Sequence, residues 1–309
     1  MGYQFADVQN FIKSLYPDAT KIAPLSKGGW SDAFEFSLNN NTFVIRFSKY
    51  DTDFRKDLYA NNFVGSNLPI PKLIKIGNAF DGYFAVSERA YGEMLDQLSI
   101  GKMRDTIPSL LNTFDSLRAV DISKTIGFGS YKPNGNAPHK TWADFLLDAL
   151  NDNPERRVHG WYQIIKNSNF GTQVFDDGLK IFQQLALTLP NSRNLIHYDL
   201  LNSNVMVNDN KISAVFDWGC ALYGDFVFEL ATFTFWSPWI DGLKDIDWLK
   251  IFEEHFVNIS LDVPDLEERL FAYELYIALE HLGYNAFIDD WENFEKCSNV
   301  ANDMLISMI

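Results

Sequence analysis

The stretch Leu195-Ile196-His197-Tyr198-Asp199-Leu200-Leu201-Asn202-Ser203-Asn204 runs into Val205-Met206-Val207, a polar turn, and Ile212-Ser213-Ala214-Val215-Phe216-Asp217-Trp218. Two apolar runs around Asn208-Asp209-Asn210-Lys211 predict a β-hairpin. Such a hairpin sets Asn204, at the start of its first strand, beside Asp217, at the end of its second. Phosphoryl transfer from ATP asks for one carboxylate to orient the attacking hydroxyl and receive its proton. It also asks for an amide oxygen and a second carboxylate to hold Mg²⁺. Asp199 is the expected catalytic carboxylate, and Asn204 and Asp217 are the expected metal ligands. His197, taken alone, reads as an orienting histidine of the core.

The chain has 309 residues, room for one large domain or two lobes. Its 47% hydrophobic and 15% aromatic content is enough for a sizeable core. A net charge of -15 argues against nucleic acid, whose phosphates need a basic surface. The same charge suits a cationic small-molecule substrate drawn to an acidic surface, and it suits plain solubility equally. Cys220 and Cys297 form neither a metal spacing nor a disulfide framework, which fits a reducing cytoplasm. Met1 to Leu15 lacks the pattern of a signal peptide, and no run of about 18 apolar residues offers a membrane span. A cytoplasmic, monomeric protein is expected.

Phe5 to Tyr16 has helical spacing with Pro17 beyond it. Leu25 to Phe34 carries the pair Gly28-Gly29 with Ser26 and Ser31 on either side. Glycine there lets backbone N–H groups approach phosphate oxygens, although a plain hairpin turn fits the same residues. Ala33–Leu38 and Thr42–Ser48 alternate around an Asn-rich turn and predict a second hairpin. Arg55 to Ser66 reads as a helix, ended by Leu68-Pro69-Ile70-Pro71. Strands are expected at Lys72–Ile76 and Tyr83–Val86. Later helices are expected over 110–120, 142–150, 175–189 and 266–283, the last strongly amphipathic. Gly127 to Lys140 reads as a long loop of the kind that forms lids. Trp142, Trp161 and Tyr162 fit core packing or sugar binding, and so do Trp236 and Trp239 of Trp-Ser-Pro-Trp. The acidic run at 289–295 reads as a solvated face.

The catalytic stretch resembles that of protein kinases and, more closely, that of the aminoglycoside phosphotransferase family. Protein kinases usually have Arg after the His and Phe-Gly after the second Asp, where this chain has His197-Tyr198-Asp199 and Asp217-Trp218-Gly219. The likeness extends to Leu25-Ser26-Lys27-Gly28 with Ser31 and Ala33-Phe34, to Leu68-Pro69-Ile70-Pro71, and to Thr141-Trp142 with Asp144-Phe145. Gly127-Phe128-Gly129 and Phe235-Trp236 with Pro238-Trp239 are similar to the hygromycin B subgroup.

That resemblance implies an α+β, two-lobed, protein-kinase-like fold. Residues 1–88 would form a small antiparallel-sheet N-lobe with one helix, and 89–309 a larger, mainly helical C-lobe. It implies nucleotide contacts from Ser26, Gly28 and Ser31. Arg46 stands in for the usual phosphate-binding Lys, and Asp57 stands where its acidic partner is usually Glu. The hinge Ser87–Gly92 would meet the adenine edge through backbone groups of Glu88 and Ala90. Asp225 would cap a helix or orient the catalytic loop. Glu229, Glu280, Trp236 and Trp239 would join Asp199 around the substrate, although Glu229 and Glu280 also read as helix-surface acids. The implied nucleotide is ATP, with GTP the alternative, together with Mg²⁺. The implied acceptor is an aminoglycoside, hygromycin B first. The alternatives are a kinase of another small hydroxyl compound (a macrolide, choline or a sugar metabolite) and a nucleotide-binding pseudokinase.

Overall fold

The computed structural model describes residues 3–27 and 29–308. In chain order its elements begin with α1 (Phe5–Leu15), β1 (Thr20–Lys27), β2 (Asp32–Leu38), β3 (Asn41–Ser48), α2 (Thr52–Ala60), β4 (Leu73–Ala79) and β5 (Gly82–Glu88). There follow β6 (Glu93–Met94), α3 (Ile100–Ala119), β7 (Gly129–Ser130), α4 (Trp142–Ala149), α5 (Trp161–Asn167), α6 (Gln173–Leu185) and β8 (Asn194–Ile196). The chain continues with β9 (Val205–Asn208), β10 (Lys211–Val215), β11 (Leu222–Gly224), α7 (Val227–Trp236), α8 (Trp248–Asn258), α9 (Leu266–Phe287) and α10 (Trp291–Ser307). Contacts group the chain into two compact units. One comprises Met1–Val120, Tyr131–Asn136 and Asp199–Ala221; the other comprises Asp121–Ser130, Ala137–Tyr198 and Leu222–Ile309.

The first unit is built on an antiparallel sheet of order β1-β2-β3-β5-β4. Asn39 and Asn40 both take positive φ, 50° and 65°, as a two-residue hairpin turn requires. The register sorts the side chains by face. Phe34, Phe36, Ile45, Phe47 and Phe84 bury themselves with Val8 and Ile12 of α1. On the other face Ala33, Arg46 and Ala85 lie opposite one another, so Arg46 points away from the α1 core. Phe54 of α2 packs there with Leu73 and Ala85. The β9–β10 hairpin forms as expected, with Asp209 and Asn210 at φ 48° and 59°, and β6 adds a short third strand.

The second unit is mainly helical, with a small sheet of order β7-β11-β8. Thr141 and Asp144 close a capping box at the start of α4. The helix expected over 266–283 runs to Phe287, and it is not amphipathic. Residues 275–279 are all buried, so the middle of α9 is enclosed on every side, while its first turn exposes Glu267 and Glu268. The acidic run at 289–295 opens α10, whose N-cap is Asp290. Trp142 and Trp161 are core residues. The 131–136 part of the expected lid is packed down: Tyr131 is buried, and Gly135, at φ +83°, sits where a Cβ would collide with the Tyr59 ring.

Candidate active site

In the first unit the hairpin fixes one half of the expected constellation. Asn204 Nδ2 donates to the Asp199 carbonyl at 2.8 Å and to Asp199 Oδ2 at 2.9 Å. At the hairpin's end Phe216 N donates to Asn204 O at 3.0 Å, so Asn204 and Asp217 flank the same end of the ladder. Mg²⁺ takes one or two protein carboxylates or amides and completes its shell with phosphates and water. Asn204 spends its NH₂ on Asp199, which leaves Oδ1 as an acceptor, and the Asp217 side chain is 44% exposed. That donor set fits Mg²⁺.

Arg46 on β3 forms an ion pair with Asp57 on α2, and its Nη1 lies 4.0 Å from Asp217 Oδ1. The shorter acid therefore reaches. Its other oxygen, Oδ1, accepts the Trp218 N–H at 2.7 Å. Burial raises the Asp57 carboxyl against the pull of the Arg46 guanidinium, and Arg46 itself is held charged by Asp57 and Asp217 in spite of its own burial. Lys56, one residue before Asp57, is 2% exposed. Its Nζ donates to Gly219 O at 2.6 Å and Ala221 O at 3.1 Å and lies 4.7 Å above the Tyr131 ring. Burial lowers its pKa to about 8, with Cys220, Asp53, Asp57 and Asp217 pulling the other way.

In the second unit His197 is fully buried. Glu229, expected at a substrate-facing surface, is instead 3% exposed. Its carboxylate accepts the backbone N–H of His197 and that of Tyr198, the latter at 3.1 Å and 3.2 Å. With its carboxylate buried and taken up by these N–H groups, Glu229 braces the backbone just before Asp199. Asp225 Oδ1 accepts the N–H of Val227, the first residue of α7, at 3.5 Å. It is fully buried and accepts from Arg269 Nε at 3.0 Å, from Arg269 Nη2 at 2.5 Å, from Tyr273 Oη at 2.7 Å and from Ser192 Oγ at 3.1 Å. Glu280 accepts from Tyr198 Oη at 3.4 Å and lies 3.0 Å from His281 Nδ1. Burial works to raise the Glu280 carboxyl, but the His281 ring and the bonds from His281 and Tyr198 outweigh it and hold it low. The Trp236 ring lies edge-on to His281 at 4.8 Å and 5.7 Å from Trp239, which is 38% exposed.

Three non-glycine residues of the catalytic segments take left-handed backbone: Tyr198 at φ 73°, Ser203 at 56° and Asp217 at 63°. Such geometry costs free energy and persists only when neighbours impose it. Glu229 holds the Tyr198 N–H. Asp96 takes the Ser203 N–H at 3.1 Å and its hydroxyl at 3.0 Å. Asp57 and Lys56 hold the turn after Asp217. Sequence reasoning missed Asp96 and Lys56, whose partners lie 107 and 163 residues away.

The remaining nucleotide candidates lie along the first sheet. Ser26 is exposed on β1, Ser31 is half-buried just before β2, and Gly28 lies outside the described residues. Glu88 ends β5, and its N–H donates to Lys72 O at 3.0 Å; Ala90 lies two residues beyond it. Among the described residues no group of three or more His, Cys, Asp and Glu forms a metal cluster, and no helix is long and apolar enough to cross a membrane.

A carboxylate bonded to an amide, a second carboxylate across the hairpin and a paired guanidinium are the groups that phosphoryl transfer uses. The chain belongs to the phosphotransferase enzyme family, whose model matches residues 22–252. It is 28% identical over 295 residues to hygromycin-B 4-O-kinase of Escherichia coli, covering 94% of this chain and 81% of that protein. The crystal structure of aminoglycoside phosphotransferase APH(4)-Ia superposes with a TM-score of 0.86 at 25% identity, covering 98% of this chain and 99% of the other. A thermostable mutant of APH(4)-Ia in ternary complex with AMP-PNP and hygromycin B matches with a TM-score of 0.85 at 26% identity, over 97% and 98% of the two chains. The fold is the α+β, kinase-like fold of these phosphotransferases.

Proposed function

We propose that this protein transfers the γ-phosphoryl group of ATP to a hydroxyl of an aminoglycoside, hygromycin B before others. The observation that carries this reading is the Asn204–Asp199 pair at the mouth of a hairpin whose other end is Asp217. The relatives described above act on or bind hygromycin B, and one holds an ATP analogue beside it.

In this reading Asn204 Nδ2 fixes Asp199 Oδ2, so the carboxylate is held ready to orient the substrate hydroxyl. The hydroxyl oxygen bonds to the γ-phosphorus, the bond to the β-phosphate oxygen breaks, and the hydroxyl proton passes to Asp199. The loose transition state asks little basicity of that group, and an ordinary carboxylate serves. Mg²⁺, bound by Asn204 and Asp217, would offset charge on the phosphates. Arg46, tethered by Asp57, adds a fixed guanidinium to the same task. Ser26, Gly28 and Ser31 would line the nucleotide turn, and Glu88 and Ala90 would meet the base. Glu280 would attract substrate ammonium groups, and Trp236 and Trp239 would offer ring faces to its sugars. Residues 1–88 supply nucleotide contacts and 89–309 the catalytic loop and substrate wall. The protein acts as a cytoplasmic monomer.

The test is Mg²⁺-dependent ADP release with hygromycin B and a panel of other aminoglycosides and small alcohols, with D199N as blank. Turnover with hygromycin B, lowered about 10²–10⁴-fold in D199N, supports the reading. Undiminished turnover in D199N overturns it, and turnover confined to another alcohol moves the acceptor.

A further inference from the structure

The chain that leaves β5 carries a device absent from the reading above, although it rests on that reading's nucleotide site. Arg89 N donates to Thr42 O at 3.2 Å, so the Arg89 backbone faces β3. Backbone groups alternate along an extended strand. Glu88 faces the opposite edge, where its N–H donates to Lys72 O, and continuation of this alternation past β5 would turn Ala90 the same way. Read along this edge, Glu88 C=O is an acceptor and Ala90 N–H is a donor. Ala90 C=O would be a second acceptor, but the Arg89 guanidinium donates to it through Nη1.

That guanidinium is held from several sides. Its Nε donates to Glu35 Oε2 at 3.2 Å, its Cζ lies 5.0 Å from the Tyr91 ring centre, and Nη1 is 4.0 Å from Met206 Sδ. The Arg89 side chain is only 18% exposed. The Tyr91 carbonyl is in turn fixed by Ser213 Oγ at 3.1 Å. The cation is thus a built part of the edge.

Adenine presents a donor, its amino group, next to an acceptor, N1. It matches Glu88 C=O and Ala90 N–H and needs no third partner. Guanine presents an acceptor, O6, followed by two donors, N1–H and the 2-amino group. With O6 on Ala90 N–H, guanine needs the Ala90 carbonyl for its donors. Here that carbonyl already carries a charge-assisted hydrogen bond, and a positive group faces the guanine N–H dipoles. Leaving buried donors without an acceptor is the costly case. We propose that Arg89 determines the base preference of this phosphotransferase, admitting ATP and rejecting GTP by occupying the Ala90 carbonyl, with Glu35 holding Arg89 in place.

The experiment measures kcat/KM for ATP and GTP, and separately the Kd for ADP and GDP, in the wild type, R89M and E35Q. The expected result is a wild-type preference for adenine in both readouts. R89M should raise the GTP:ATP ratio of kcat/KM by about tenfold through a gain with the guanine nucleotide, and E35Q should raise it by less. The inference is overturned if the wild type binds ADP and GDP equally, or if neither variant moves the ratio. E35Q decides the matter should R89M fail to fold. Adenine-selective binding that relaxes in R89M, with no phosphoryl transfer to any acceptor, supports Arg89 and overturns the catalytic reading instead.

Discussion

The Arg46 guanidinium and the Asp57 carboxylate form a buried ion pair, and the oxygen of Asp57 that Arg46 does not use takes the Trp218 N–H at 2.7 Å. One acid thus ties the β3 cation to the turn that follows Asp217. Removing it leaves a buried guanidinium without its partner and Trp218 N–H without its acceptor. D57A is expected to lose about 3–5 kcal/mol of stability. D57N keeps an acceptor for Trp218 N–H and should lose less, while both raise KM for ATP. Thermal melts with nucleotide titrations check this. Equal melting points for D57A and wild type would show that the pair does not hold the turn.

Lys56 predicts a pH signature. Its ammonium is buried and releases its proton at about 8, against an ordinary value of 10.5. Between those values the unfolded chain holds more protons than the folded one, so this residue's contribution to stability rises with pH from 8 to 10.5. The displacement corresponds to about 3 kcal/mol, gained progressively over that window. K56M removes the titration and leaves the Gly219 and Ala221 carbonyls unsatisfied, at a cost of about 1–3 kcal/mol near neutral pH. Denaturant unfolding at several pH values from 7 to 10 should show the wild type gaining on K56M as pH rises. Parallel curves would mean that the lysine is not buried as a cation.

Glu229 is expected to act on turnover and not on nucleotide binding. Its two oxygens are acceptors for the N–H groups of His197 and Tyr198, immediately before Asp199 in the chain. E229Q keeps one acceptor and turns an NH₂ toward donors, which lets the catalytic loop shift. A misplacement of this kind lowers kcat by about 10²-fold, with little change in KM for ATP. E229D, which keeps both acceptors on a shorter stem, should recover part of that loss. A wild-type kcat for E229Q would refute the positioning role.

The parts of this architecture that sequence made legible are those with local signals. The β2–β3 and β9–β10 hairpins announce themselves by alternation around Asn- and Asp-rich turns, and the structure places their turn residues at positive φ. The spacing of Asp199, Asn204 and Asp217 is likewise local once the hairpin is granted. Glu229 was misread because an acid on a helix looks solvated until the rest of α7 is seen to be buried. Helix α9 looks amphipathic in sequence because Glu267, Glu268, Glu274 and Glu280 flank the run Leu275 to Leu279, yet that run is buried on every side. Lys56 and Asp96 could not be found, since a lone Lys or Asp gives no hint of a backbone partner more than a hundred residues away.

The Asp225–Arg269 pair makes the sharpest test of whether polar burial in the second unit stabilises or only specifies. Asp225 is fully buried, and Arg269, Tyr273 and Ser192 all donate to it, while Tyr273 Oη in turn accepts from Trp142 Nε1 at 3.0 Å. Burial and the adjacent Asp225 charge push the Tyr273 hydroxyl well above its ordinary value, so it remains a donor at any working pH. Removing one charge leaves the other unpaired in the interior. D225N and R269M should each cost about 3–5 kcal/mol. The double variant buries no lone charge and should cost clearly less than the two single losses added together. A double-mutant cycle by chemical denaturation measures that coupling. Simple additivity would show that the two side chains stabilise the unit independently, through Tyr273 and the Pro264 carbonyl, which Arg269 Nη1 reaches at 2.9 Å, and not through each other.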